Sequence, residues 1–339
     1  MKEIKTVDAV GHVICHDISQ IIPGGKRGVP FKKGHIVREE DIAVLHSLGK
    51  MHLFVWEPDE NLVHENEAAA ILYGLIGGIN TKGNEPSEGK ITVTAAVDGV
   101  LRIDKDRLFA LNMTDDAAVA ARHDFAPVRK GDSLAATRII PLFIEKEKLQ
   151  TIREIGVGAP ILNVLPYKHM KVGIVTTGNE VYEGLIQDGF APILRKKLAE
   201  FDVEDLGQII VPDDNESATK AILKFKEEGA DLILVTGGMS VDPDDRTPLA
   251  IRNTGAEVIT YGTPVFPGAM FLVSYLEGSV VLGLPGGLLH SKRSMFDILL
   301  PRILAGIRIE NEDIKALGLG GLCLNCETCV FPICGFGAV

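Results

Sequence analysis

The sequence lacks the features that several large classes of protein require. Lysine and arginine number 35 against 46 aspartates and glutamates, a net charge of −11, which excludes the broad basic surface of a nucleic-acid-binding protein. The longest near-apolar run, 68–79, is shorter than the roughly 20 residues of a membrane helix. Charged residues at Lys2, Glu3, Lys5 and Asp8 leave no apolar signal region. We therefore expect a cytoplasmic protein without nucleic-acid or membrane partners.

The composition and length are those of a folded protein with several domains. Hydrophobic residues make up 46% and charged residues 24%, far from the signature of disorder. At roughly 150 residues per domain, 339 residues predict at least two domains. Changes in pattern divide the chain into a mixed α/β N-terminal subdomain (1–80), a β-rich subdomain (81–165), an α/β domain (166–310) and a cysteine-rich tail (311–339).

The α/β domain is predicted from apolar strands that alternate with amphipathic helices. The predicted strands are 171–176, 206–211, 231–236, 258–261, 271–276 and 280–283. Asn215 is the expected N-cap of one helix, because apolar residues follow it at helical spacing, and a second helix is expected from about 288 to 304. This alternation predicts a doubly wound, mostly parallel sheet with helices on both faces.

Four turns at the predicted strand ends carry polar groups and glycines. Ligands of doubly wound sheets bind beyond the carboxyl ends of the strands. Backbone N–H groups of Gly-Gly turns can approach an anion, and carboxylates beside a phosphate suit Mg²⁺. The acidic pair Asp213-Asp214 could equally be the start of a helix. Together the turns predict a site for a phosphorylated, nucleotide-bearing ligand. They are Thr176-Thr177-Gly178-Asn179-Glu180, Val211-Pro212-Asp213-Asp214-Asn215, Thr236-Gly237-Gly238-Met239-Ser240 with the following 241–248, and Gly283-Leu284-Pro285-Gly286-Gly287.

The order of these turns between Lys168 and Gly306 resembles the molybdopterin-binding domain. That domain is shared by molybdopterin molybdenumtransferases, the gephyrin C-terminal region and molybdopterin adenylyltransferases. The resemblance implies insertion of molybdate into adenylylated molybdopterin with release of AMP, in molybdenum cofactor biosynthesis. It implies a catalytic role for Asp213, Asp245 and Glu180, with Asp213 and Asp245 holding Mg²⁺, and a homodimer. The implied ligand-binding residues are Thr177, Gly178, Gly237, Gly238, Ser240, Thr247, Gly283, Pro285, Gly286 and Gly287.

Departures from the family pattern leave other functions open. Asn179 stands where the transferases usually have Asp, Phe266 where Lys commonly precedes Pro-Gly, and Gly287 where Asn follows G-L-P-G. One alternative is adenylyl transfer from ATP to molybdopterin. A second is a non-catalytic molybdopterin carrier or sensor that docks on a molybdoenzyme client. A third is a nucleotide hydrolase similar to the competence-damage-inducible family. Asp244 and Asp245 fit the acidic turn of that family.

The tail contains four of the five cysteines, at Cys323, Cys326, Cys329 and Cys334. Four soft ligands suit an iron–sulfur cluster or tetrahedral zinc. The first three spacings match the bacterial ferredoxin run, whereas the fourth is one residue longer and a proline, Pro332, precedes the last cysteine instead of following it. Reactive or unused thiols and a structural disulfide are the other interpretations. This tail is not part of the family pattern.

Overall fold

The computed structural model describes residues 2–20, 28–55, 59–240, 242 and 245–338. The chain divides into two compact units. The first combines Met1–Thr94, Asp104–Ala121 and Ser133–Leu162, and the second combines Ala95–Ile103, Arg122–Asp132 and Asn163–Val339. The four-part division expected from composition stays a prediction.

The first unit is built from short antiparallel strands with helices between them. Its largest sheet has the strand order β6-β7-β11-β9, and β7 alternates exposed residues with buried Ile91 and Val93, as a half-buried strand should. The strands are β1 (Lys2–Lys5), β2 (Ile18–Gln20), β3 (Gly28–Phe31), β4 (His52–Val55), β5 (Leu62–His64), β6 (Thr81–Gly83), β7 (Lys90–Ala95), β9 (Ala117–Ala121), β11 (Ser133–Ile139) and β12 (Phe143–Glu145). The helices are a 3₁₀ turn (Thr6–Asp8), α1 (Asp41–Ser47), α2 (Glu65–Ile76), α3 (Lys105–Asn112) and α4 (Lys146–Gly156).

The second unit contains a three-stranded sheet, β10-β8-β13, and a six-stranded sheet. Its strands are β8 (Gly99–Ile103), β10 (Pro127–Val128), β13 (Leu162–Pro166), β14 (Met170–Thr177), β15 (Val203–Val211), β16 (Leu232–Thr236), β17 (Glu257–Tyr261), β18 (Leu272–Leu276) and β19 (Ser279–Leu284). Its helices are α5 (Asn179–Tyr182), α6 (Phe190–Leu198), α7 (Asn215–Glu227), α8 (Thr247–Asn253), a 3₁₀ turn (Gly286–Leu289), α9 (Met295–Leu304) and α10 (Asn311–Ala316). Among the described residues of both units, no helix has the length and apolar character to cross a bilayer.

The six-stranded sheet confirms the doubly wound, mostly parallel α/β fold. Its strand order is β15-β14-β16-β19-β18-β17, with β15, β14, β16 and β19 parallel and β18 antiparallel to both neighbours. Apolar side chains of α7 and α8 pack on one face, and those of α6, α9 and α10 pack on the other. Close packing needs a glycine at Gly173 of β14, because a Cβ there would lie 2.5 Å from the ring of Phe225 on α7.

Two helix boundaries differ from the sequence prediction. Asp214, not Asn215, is the N-cap of α7: its carboxylate accepts a hydrogen bond from the backbone N–H of Ser217 at 2.8 Å. The helix expected from about 288 to 304 is interrupted, with a 3₁₀ turn first and α9 starting only at Met295. Ser294 and Asp297 form a capping box at that point, so they provide a new helix start that apolar periodicity did not reveal.

Candidate functional site

The four turns predicted to carry the chemistry leave one edge of the six-stranded sheet. Thr177 at the end of β14 is in register with Val211 at the end of β15. Thr176 is in register with Thr236 of β16, which is in register with Leu284 of β19. These strands are parallel, so their carboxyl ends lie side by side. The chain runs from β14 to β15 on one side and then to β16 on the other, which makes β14 and β16 the topological switch point where such sheets bind ligands.

At the switch point, the Gly237-Gly238 turn touches the end of β14. Gly237 has φ +86°, and a Cβ on it would lie 2.1 Å from the carbonyl oxygen of Thr177. Gly238 also has positive φ, +53°. Thr247, the first residue of α8, stabilises this turn with two hydrogen bonds. Its hydroxyl donates to the carbonyl oxygen of Gly237 at 2.8 Å, and its backbone N–H donates to the carbonyl oxygen of Gly238 at 3.1 Å. Both glycines are therefore required by the backbone geometry, and the turn is preorganised.

The turns after β14 and β15 are joined by a reciprocal pair of hydrogen bonds. The N–H of Asn179 donates to a carboxylate oxygen of Asp213 at 3.0 Å, and the N–H of Asp213 donates to the amide oxygen of Asn179 at 3.1 Å. An aspartate at position 179 could accept the same bond, but it would put a second negative charge beside Asp213. The departure from the family pattern at Asn179 therefore keeps the geometry and lowers the negative charge.

A small crevice opens between these turns. It is lined by Thr177, Asp213, Asp214, Ala218, Arg246 and Thr247. Hydrogen bonds from the backbone N–H and the side chain of Ser217 lower the pKa of Asp214, because they stabilise its charged form as it caps α7. The crevice thus offers hydroxyl and carboxylate oxygens together with one guanidinium. Such groups can hold a phosphate and a hard cation such as Mg²⁺.

Two functional candidates were missed by sequence reasoning. Arg246 lies in the predicted turn, directly before Thr247, and is one of the residues that line the crevice. Its position next to the phosphate-binding motif was the available signal. Tyr261, at the end of β17, donates from its hydroxyl to the carbonyls of Met239 and Ser240 at 2.9 and 3.2 Å. Burial, and then the negative charge of Asp245, raise the pKa of Tyr261, so it remains a hydrogen-bond donor that holds the loop.

Asp245 occupies a different position from Asp213. Its carboxylate accepts a hydrogen bond from the N–H of Asp242 at 3.2 Å, and it does not line the crevice formed by the described residues. Ser240 is exposed next to this loop. Val241 and Asp244, which belong to the predicted motif, lie outside the described residues. The structure therefore brings together Thr177, Asp213 and Thr247, whereas Asp245 borders the loop held by Tyr261.

The remaining predicted site residues lie inside β19 and in the turns that follow β14 and β19. Gly178, with φ +149°, is the N-cap of α5, and Glu180 is exposed on that helix. Gly283 is buried inside β19, where a Cβ would lie 2.6 Å from the terminal methyl of Met239. Its structural role is to admit that side chain. Pro285, Gly286 and Gly287 follow β19 in a turn with both glycines exposed.

Comparison with known proteins places this site in a family. Residues 173–305 match a model described as a probable molybdopterin binding domain, and residues 3–57 match a domain of unknown function. The chain is 24% identical over 230 residues to a molybdopterin molybdenumtransferase of Synechococcus elongatus, covering 63% of this chain and 55% of the relative. It is 30% identical over 152 residues to a molybdopterin molybdenumtransferase of Haemophilus influenzae, covering 42% and 37%.

A shorter similarity involves another protein. The chain is 38% identical over 91 residues to a CinA-like protein of Mycolicibacterium vanbaalenii, covering 26% of this chain and 21% of that protein. The chain thus spans about half of the length of the first relative and less of the other two. The match over residues 173–305 coincides with the six-stranded sheet and its four turns. Residues 173–305, which contain the site, therefore match a probable molybdopterin binding domain.

Proposed function

We propose that this protein is a molybdopterin molybdenumtransferase, which inserts molybdate into adenylylated molybdopterin and releases AMP. The observation that carries the proposal is the crevice at the switch point of a molybdopterin-binding domain, with hydroxyl, carboxylate and guanidinium groups on its walls. Two relatives named molybdopterin molybdenumtransferase, to which the chain is 24% and 30% identical over 230 and 152 residues, support it. Adenylylated molybdopterin carries a negatively charged phosphoanhydride, which Arg246 would pair with directly and Asp213 would meet through a bound Mg²⁺.

The chain's own residues bind and orient the phosphates in this proposal. Gly237 and Gly238 let the turn pack closely against Thr177 and Thr247, and the backbone N–H groups of the turn are the proposed phosphate donors. The hydroxyl of Thr177 lies 3.3 Å from that of Thr247, and both line the crevice. Arg246 offsets the negative charge that develops on the leaving AMP. Because these groups are fixed before the substrate arrives, they need little reorganisation during the reaction.

The oxygen donors of the site suit Mg²⁺, which typically binds through one or two carboxylates together with substrate phosphates. Asp213 is the carboxylate on the crevice wall, and one of its oxygens is oriented by Asn179. We assign Asp213 as the residue that would hold the ion on the crevice wall, and Asp245, which lies outside the crevice on the loop held by Tyr261, as the second proposed ligand. Mg²⁺, when bound, would neutralise the phosphoanhydride and polarise it. Glu180, exposed on α5, is the third acidic residue of the proposed site.

The test is anaerobic incubation of the full chain with adenylylated molybdopterin, Mg²⁺ and molybdate, with AMP release followed over time. We expect release that depends on molybdate, and loss of release in Asp213→Asn and Asp245→Asn with the thermal midpoint retained. Retained turnover in Asp245→Asn would refute the role of that residue. AMP release without molybdate would favour nucleotide hydrolysis. Pyrophosphate release from ATP would favour adenylyl transfer, and tight binding without turnover would favour a carrier or sensor.

The proposal also covers the oligomeric state, the cellular compartment and the partner of the protein. We propose a homodimer in the cytoplasm that passes its product to a molybdoenzyme client. Sedimentation at several protein concentrations tests the dimer: a single species with the mass of one chain would refute it.

A further inference from the structure

The four cysteines of the tail line a single cavity of about 280 Å³. Cys323 and Cys334 are half-buried, whereas Cys326 and Cys329 are exposed, and all four are free thiols. The other polar side chains on the cavity wall include Lys292 and Arg293, which follow the 3₁₀ turn after β19. None of these residues belongs to the crevice at the switch point. The proposed transferase activity does not use them.

The tail packs against the hydrophobic core of the second unit, to which it belongs. Phe336 is 5% exposed and belongs to the hydrophobic core beneath the six-stranded sheet. The N–H of Cys323 donates to the carbonyl of Phe266 at 2.8 Å, and the N–H of Phe266 donates to the carbonyl of Gly321 at the same distance. The N–H of Gly337 donates to the carbonyl of Gly320 at 3.0 Å, which closes the loop that carries the cysteines. The backbone therefore presents the four thiols as one set.

Two cations hold the cysteine loop from the domain side. The ammonium of Lys292 donates to the carbonyls of Cys326 and Glu327 at 3.0 and 2.7 Å. The guanidinium of Arg293 lies 5.1 Å from the centre of the Phe331 ring, beside Cys329 on the cavity wall. Arg293 is itself fixed by Asp297 at 2.9 Å. Positive charge is thus positioned where several thiolates would otherwise repel one another.

The arrangement of the thiols favours a cluster over a single ion. Zinc requires four sulfurs at about 2.3 Å from one point. In the described part of the chain, no group of three or more His, Cys, Asp or Glu side chains is placed to hold a single metal ion. The tail thiols instead surround a cavity. In a cluster, the thiolates bind different irons and stand around a cage of iron and sulfide, and the spacing of Cys323, Cys326 and Cys329 matches the ferredoxin run.

We propose that Cys323, Cys326, Cys329 and Cys334 bind one iron–sulfur cluster in this cavity. Lys292 and Arg293 position the loop and balance the negative charge of the cluster.

The experiment is anaerobic purification of the full chain, followed by reconstitution with Fe²⁺ and sulfide in one sample and with Zn²⁺ alone in another. We expect about four irons and four sulfides per chain, with visible absorption that bleaches on reduction. Cys326→Ser should lose the iron, whereas the matched control Cys15→Ser, which changes the buried thiol of the first unit, should retain it. A chain that retains one zinc and takes up no iron, or that binds neither metal, would overturn the proposal.

A labelling experiment on the unmutated chain covers the case in which Cys326→Ser fails to fold. A thiol-alkylating reagent should modify the tail cysteines of the metal-free protein and leave them unmodified after reconstitution. Cys15 should react only after unfolding, because it is 1% exposed. Equal labelling of the tail before and after reconstitution would show that the iron is bound elsewhere and would overturn the proposal.

Discussion

Replacing Gly237 by alanine tests the contact on which the geometry of the candidate site depends. Gly237 has φ +86°, and an added Cβ would lie 2.1 Å from the carbonyl oxygen of Thr177. The substitution therefore introduces two penalties, a left-handed backbone for a residue with a Cβ and a collision with backbone of the neighbouring strand. The collision cannot be relieved by rotating a side chain, so the turn itself has to move.

The two penalties can be separated with a matched control. Gly255, after α8 in the same unit, has φ +85°, and an added Cβ there would meet nothing within 4 Å. Gly255→Ala should therefore lower the free energy of unfolding only by the backbone strain, about 1–2 kcal/mol. Gly237→Ala should lower it by that strain and by roughly 1–3 kcal/mol more, because of overpacking. At roughly 2–4 °C per kcal/mol for a domain of this size, the extra loss is measurable by thermal unfolding.

The assay combines thermal or urea unfolding with anaerobic titration of adenylylated molybdopterin. We expect a lower unfolding midpoint for Gly237→Ala than for Gly255→Ala, and loss of ligand binding only in Gly237→Ala. Equal midpoints for the two variants would refute the predicted collision with Thr177. Normal ligand affinity in a destabilised Gly237→Ala protein would show that the turn does not contribute to the binding site.

Three further predictions test other parts of the second unit. Gly173→Ala should lower the free energy of unfolding by about 1–3 kcal/mol, because its Cβ would lie 2.5 Å from the Phe225 ring; an unchanged urea midpoint would contradict this packing. Asp214→Ala should cost about 1 kcal/mol at pH 7 by removing the N-cap of α7. Since folding lowers the pKa of Asp214, this difference from the unmutated protein should shrink as the pH falls below about 3.9, the unfolded value, and a difference that grows in acid would be inconsistent with capping. Asp297→Ala should cost about 3–5 kcal/mol, because this 3% exposed carboxylate accepts from Lys197 at 2.6 Å and from Arg293 at 2.9 Å; a loss below 1 kcal/mol in a denaturant titration would show that the pair is not effectively buried.

Much of the second unit could be predicted because its sequence pattern and its packing agree. The apolar strands 171–176 and 231–236 end in glycine-containing turns, and both became central parallel strands. Helix starts were less predictable, because they depend on individual hydrogen bonds. Asp214 and Asn215 are both good caps, and only the bond to the N–H of Ser217 decides between them.

The location of the candidate site could be predicted from the sequence, but the set of residues that form it could be predicted only in part. Register in a parallel sheet brings Thr177, Asp213 and Gly237 to one edge, since each directly follows or ends a strand. The positions of Asp245 and Arg246 depend on the course of the loop between β16 and α8, which periodicity does not describe. Tyr261 could not be identified from local sequence, because β17 is separated from β16 by two other strands in the sheet.

The central claim is that the crevice at the end of β14 and β16 binds the phosphates of adenylylated molybdopterin. The most direct measurement is an anaerobic fluorescence titration of that ligand into the full chain and into Arg246→Met, which removes the guanidinium on the crevice wall. Arg252→Met, which changes an arginine of α8 away from the crevice, serves as the control. We predict weaker binding by about 1.5–3 kcal/mol, the contribution of a hydrogen bond to a charged group, in Arg246→Met alone. Equal affinity of the two variants and the unmutated protein would contradict the account.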